Sequence, residues 1–183
     1  MSGREISGRV TVKRLWIIGN SKSGKSTFAK RCSNRFGIPI FEAGKFCREL
    51  NPEMDNTRLA DYCTRILQND DNHRFFSDKI KEGLGEDSYV IVGVRNPVDF
   101  LDSFDPYRDF VIFLEDDSEP ASEFEKLGIE AIKRIMDFFV KLNISTDWQV
   151  TNLKAEKDKS IWYDETRFTE WNTCKGEWQI LWK

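Results

Sequence analysis

The sequence predicts an α/β fold: a mostly parallel sheet with helices covering both faces. Three observations carry this prediction. Short apolar strands recur along the chain with helical segments between them, the alternation that parallel crossover units require. The first strand runs directly into a loop rich in glycine and lysine, and the loop into an amphipathic helix. The chain has 183 residues, 39% hydrophobic and 32% charged, which suits one soluble domain with a sizeable core.

In chain order, 12–18 (VKRLWII) reads as a buried strand and 27–36 as a helix with Phe28 on its apolar face, stopped by Gly37 and Pro39. Residues 38–42 form the second strand. The segments 44–50, 56–68 and 71–83 read as helices that fill the gap before the third strand, 88–94. A fourth strand spans 109–114 and a fifth 147–152. Between them, 121–142 carries Ile129, Ile132, Ile135, Met136, Phe139 and Leu142 at helical spacing. The tail, 153–183, holds four of the six tryptophans, Trp162, Trp171, Trp178 and Trp182. It is expected to be an extension packed on the 1–152 core, with a hairpin about Lys175-Gly176.

Composition excludes several classes. The net charge of −3 provides no global basic field for nucleic acid. No apolar stretch is long enough to span a bilayer, and the polar N-terminus has no secretion-signal core. Cys32, Cys47, Cys63 and Cys174 form no C-x-x-C pair, so reduced thiols in the cytoplasm are expected. The single histidine, His73, lies in a polar helical stretch and reads as a surface residue.

Gly19 to Thr27 (GNSKSGKST) fits the G-x-x-x-x-G-K-[ST] phosphate-binding loop. Its glycines let the main chain approach an anion, and successive N–H groups at a helix start form a nest for phosphate. Gly19, Asn20, Ser21, Lys22, Ser23, Gly24, Lys25, Ser26 and Thr27 are therefore the expected ATP-binding residues. Lys25 reaches the β- and γ-phosphates, and the Ser26 hydroxyl ligates Mg²⁺. Ligands of such sheets lie beyond the C-terminal strand ends, where Glu42, Arg48 and Arg95 are also found. Two arginines opposite a phosphate loop suggest a second phosphate, carried by an acceptor, since the guanidinium fork binds phosphate through paired hydrogen bonds.

On these motifs, residues 12–152 resemble the P-loop nucleoside and nucleotide monophosphate kinases, including bacteriophage deoxynucleoside monophosphate kinases. The resemblance implies a three-layer α/β/α sandwich with five strands. It also implies a helical acceptor-binding region at 44–84 and a lid with its following helix at 115–142. AGKFCREL is similar to the segment that places Gly44 and Arg48 on the acceptor's monophosphate. VIVGVRNPVDF is similar to the stretch that places Arg95 on the acceptor phosphate and Asp99 at the acidic acceptor position. TDWQVTN is similar to the last strand, with Asn152 near the adenine. The chain departs from the family in lacking an acid at the end of the third strand, in Lys45 at a usual aspartate position, and in an acidic lid, EDDSEPASEFEKLG. The implied cofactors are ATP and Mg²⁺, with Glu42 able to join the metal shell through water.

Lys25, Arg48, Arg95 and Glu42 are thus the expected catalytic set. Three activities stay open. The first is ATP-dependent phosphorylation of a nucleoside or deoxynucleoside monophosphate, a small-molecule nucleotide. The second is phosphorylation of a hydroxyl acceptor, either a small molecule or a modified nucleotide in DNA, the one reading with a nucleic-acid partner. The third is a nucleotide-binding module with little catalysis.

Overall fold

A six-residue run, RLWIIG, forms the centre of the sheet. In the computed structural model the described residues are 14–55, 58, 62, 77–78, 81–82, 88–107, 109–145, 149–155, 161–164 and 169–172. Strand β1 (Arg14–Gly19) pairs in parallel with β3 (Tyr89–Val92) on one side and β4 (Asp109–Glu115) on the other. Strand β2 (Ile40–Glu42) adds outside β3, and β5 (Val150–Ala155) outside β4, both parallel. The P-loop α/β fold predicted from the sequence is therefore present, with a five-stranded parallel core.

The sheet is wider than predicted. β6 (Ile161–Asp164) and β7 (Thr169–Asn172) continue it antiparallel beyond β5, giving the order β2-β3-β1-β4-β5-β6-β7. The first part of the tail thus lengthens one edge of the sheet. The proposed hairpin at Lys175-Gly176 lies outside the described residues, as do His73, Cys63 and Cys174.

Both faces of β1 are apolar because both are covered. Leu15 and Ile17 point to helix α1 (Lys25–Phe36), where they meet Phe28, Ala29 and Cys32. Trp16 and Ile18 point to the opposite face, where helix α3 (Pro97–Ser103) contributes Phe100 and helix α4 (Glu123–Lys141) contributes Ile129, Ile132 and Met136. This is the period-2 alternation of a strand buried on both sides. Burial raises the pKa of the Cys32 thiol well above its usual value, so this cysteine is packing material. Helix α2 (Ala43–Leu50) follows β2 without a break. Of the two helices expected at 56–68 and 71–83, residues 58, 62, 77–78 and 81–82 are helical and the rest fall outside the described residues.

Helix α3 is an addition to the elements predicted. At seven residues it is too short to show periodicity. Its signal is local: Asn96 caps it, accepting from the Val98 amide at 3.1 Å, and Pro97 occupies the first turn. β5 also runs further than expected, to Ala155. Asn152 is consequently an exposed residue inside the strand, level with Phe113. It does not begin the loop after the strand, where the sequence had placed it.

At the opposite end of the sheet, Asp109 accepts from Arg14 Nε and an Arg14 terminal nitrogen at 2.8 Å each, and from Trp16 Nε1 at 2.9 Å. This buried network anchors the starts of β1 and β4, and a charge pair so satisfied fixes geometry more than it adds stability.

Candidate active site

The phosphate loop is closed by contacts that its sequence dictates. A Cβ at Gly19 would lie 2.8 Å from Ser23 Oγ and 3.0 Å from the Leu114 carbonyl, so the turn out of β1 needs glycine. Lys22 has φ 67° and Gly24 φ 88°, the left-handed geometry that aims successive amides inward. Lys22 adopts it without the freedom of glycine, a strain of on the order of 1 kcal/mol. The Ser23 amide closes the turn on the Asn20 carbonyl at 3.1 Å.

Lys25 opens α1 and donates to the Asn20 carbonyl at 3.0 Å. It is half-buried. Desolvation lowers its pKa, aided by Arg95 and opposed by Glu125, Glu42 and Asp116. These charges therefore surround one ammonium group. β2 ends at Glu42, whose carboxylate accepts from Ser26 Oγ at 3.0 Å. A hydroxyl and a carboxylate side by side at a helix start are hard oxygen donors that suit a Mg²⁺ ion retaining most of its waters. Among the described residues no group of three or more His, Cys, Asp or Glu side chains could hold a metal. β3 ends at Val92 and is followed by Gly93 and Val94, without an acid.

Of the two arginines, Arg95 is brought to the loop. Its guanidinium donates to Glu125 Oε2 at 3.0 Å, and the same carboxylate accepts from Ser21 Oγ at 2.8 Å and from the Ser21 amide. Arg48 sits in the last turn of α2 with an exposed side chain. Gly44 lies in the first turn of α2, next to the strand-end loop: a Cβ on Gly93 would come within 3.8 Å of the Ala43 and Gly44 nitrogens.

Glu125 is the site residue that the sequence reading missed. Ser122 and Glu125 have the S-x-x-E spacing of a capping box, and Ser122 Oγ does accept from the Glu125 amide at 3.1 Å. A capping-box glutamate would turn back to its own helix start. Here its oxygens turn instead to the phosphate loop and Arg95. Gly128, one turn on, lets α4 approach this closely, because a Cβ there would sit 1.9 Å from the Arg95 carbonyl oxygen.

The segment read as a lid is tied to the loop as well, through Asn20 Nδ2 donating to the Ser118 carbonyl at 2.9 Å. Beside it, between the ends of β1 and β4 and helix α4, opens a cavity of about 220 Å³. Asn20, Phe113, Asp116, Ile129 and Lys133 are among its walls. Lys133 is held there by Glu115 at 2.6 Å and lies 5.6 Å from the centre of the Phe113 ring.

Asp99, read as an acceptor contact, is 1% exposed in the first turn of α3, where it accepts from the Ser77 amide at 3.0 Å. It ties the helical segment around Ser77 to α3. Burial raises its carboxyl from 3.8 to about 6, against the pull of the Ser77 amide and the Asn96 side chain. The folded value lies above the unfolded one, so the protonated form favours folding. That contribution is complete below about pH 3.8 and is lost as pH rises through about 6. Asp99→Asn is therefore expected to flatten the decline in stability across this window, by up to about 3 kcal/mol. Urea unfolding at several pH values measures it, and a variant profile parallel to the wild type's would contradict the assignment.

Comparison with known proteins gives fold-level likeness only. No family model and no curated protein sequence matches the chain. Among solved structures it is similar to a gluconokinase from Sinorhizobium meliloti 1021, at 16% identity over 80% of this chain and 84% of that one, with a TM-score of 0.43. A shikimate kinase from Acinetobacter baumannii in complex with shikimate shares 11% identity over 80% and 84%, at 0.46. One from Aquifex aeolicus shares 17% over 80% and 88%, at 0.43. These likenesses are distant, and the functional reading rests on the residues of the site itself.

Proposed function

We propose that the chain is an ATP-dependent phosphotransferase whose acceptor is a nucleoside or deoxynucleoside monophosphate. The observation that carries this reading is the meeting of Lys25, the Ser26–Glu42 pair and Arg95 around one phosphate loop. Phosphoryl transfer requires positioning and charge neutralisation more than covalent chemistry. The loop amides and Lys25 hold the β- and γ-phosphates. Ser26, with Glu42 behind it, would hold Mg²⁺, which supplies charge neutralisation when bound. Arg95 faces the loop from the third strand and binds the acceptor's phosphate, and Arg48 closes on it from α2. An acceptor that is already anionic needs no general base.

A panel of nucleoside and deoxynucleoside monophosphates with labelled ATP tests this. Diphosphate product from at least one is expected; product from none, with ATP still bound, would remove the nucleotide acceptor.

A second reading, a hydroxyl acceptor, is favoured by one arrangement: Arg48 is exposed, while the Glu42 carboxylate stands at the loop beside Ser26 and the charge of Lys25, where a base for a hydroxyl would be needed. Glu42→Gln separates the two. Loss of about 10²–10⁴ in turnover is expected for a hydroxyl acceptor, through loss of the base. For a monophosphate the loss is expected to follow weakened Mg²⁺ binding at the Ser26–Glu42 pair and to be recovered at high Mg²⁺.

A further inference from the structure

We propose that Glu125 is a tethered anion that fills the phosphate cradle of the empty protein and is displaced when a polyphosphate binds. The inference rests on reading the loop as a triphosphate site and adds a competitor built into the chain.

The partners of Glu125 are those of a phosphate oxygen. One main-chain amide and one hydroxyl come from Ser21, and a guanidinium comes from Arg95. The lysine of the motif is adjacent, with Glu125 the strongest charge raising its pKa. The carboxylate thus lies between the loop that would hold the donor and the arginine that would hold the acceptor. Its side chain is 2% exposed.

The approach is built into α4. Ser122 caps the helix and leaves the glutamate of its capping box unused at the helix start. Gly128 removes the one side chain that would hold the helix away from Arg95. The arrangement solves a problem of the empty state. Two cations, Lys25 and Arg95, face a partly dry cleft, and an internal carboxylate neutralises them there.

A carboxylate and a phosphate cannot both occupy Ser21 and Arg95. Incoming triphosphate must therefore displace Glu125, and its apparent affinity is reduced by the fraction of molecules in the plugged form. Displacement also releases Arg95 from its ion pair at the moment it is needed by the acceptor. Binding of the donor and availability of the acceptor's arginine are coupled through one side chain.

The test is calorimetric binding of inorganic tripolyphosphate, without magnesium, to the wild type, Glu125→Gln, Glu125→Asp and Lys25→Ala. Glutamine keeps the shape and an acceptor oxygen but removes the charge. It is expected to bind tripolyphosphate on the order of tenfold more tightly than wild type. Aspartate, shorter by one methylene, is expected to fall between them, and it carries the test if the glutamine variant does not fold. Equal or weaker binding by a folded Glu125 variant, with binding still lost in Lys25→Ala, would overturn the plug while the loop reading stands. If tripolyphosphate binds to none of the four, the loop reading falls and the plug with it.

Discussion

Lys25→Ala is expected to abolish phosphoryl transfer, reducing turnover by at least about 10²-fold, the loss typical when a charge-stabilising donor is removed from a preorganised site. The fold should survive. Among the described residues Lys25 makes one hydrogen bond, to the Asn20 carbonyl, and the loss of such a bond costs on the order of 1 kcal/mol. The ammonium is also partly desolvated, which lowers its pKa, so its removal relieves a burial cost. Cooperative melting close to the wild type's, together with lost transfer, is the expected pair of results. Transfer at the wild-type rate would refute the assignment of the loop.

Gly128→Ala is expected to have the largest effect on stability of any small substitution at the site. In an exposed helix interior this change stabilises, by up to about 1 kcal/mol. Here the added methyl would be 1.9 Å from the Arg95 carbonyl oxygen, a main-chain atom that cannot rotate aside. Helix α4 must move off α3 and the β3 loop, at a cost on the order of 1–3 kcal/mol. The melting temperature is expected to fall by several degrees, at roughly 2–4 °C per kcal/mol for a chain of this size. Movement of α4 also pulls Glu125 from Ser21 and Arg95, so kinetics toward the acceptor should change in the same variant. An unchanged or higher melting temperature would show that α4 does not lie where the site requires it.

The parts of this molecule that were legible in its sequence are those with a local signature. β1 is an apolar run, the loop is a spaced motif, α4 has a clear period, and all appear where expected to within two or three residues. The loop at Lys22 shows the limit of the motif: its left-handed backbone is needed there, yet the residue is not glycine. β6 and β7 were missed because each is a short strand in a stretch dominated by charged and polar residues (KDKSIWYDETRFTEWN), without an apolar run like those that marked β2 and β3. Asp99 was read as an acceptor contact from its place after the third strand, and only the packing of the segment near Ser77 reveals it as a buried tie.

Glu125 was illegible for a different reason. Its sequence context, S-x-x-E, already had a sufficient explanation as a helix cap. Its contacts with Ser21 and Arg95 span 104 and 30 residues, and no spacing rule reaches that far. The same holds in reverse for Arg48. It lies in the last turn of the helix expected at 44–50, and the direction of its side chain depends on how α2 meets the rest of the chain.

In the proposed function a triphosphate and an acceptor meet at one loop, with Arg95 serving the acceptor. Steady-state kinetics and Mg·ATP binding of Arg95→Ala test it most directly. The acceptor's KM is expected to rise, or kcat to fall, by on the order of tenfold or more, while Mg·ATP binds no more weakly than to the wild type. Turnover like the wild type's, or Mg·ATP affinity lost in proportion to turnover, would contradict it.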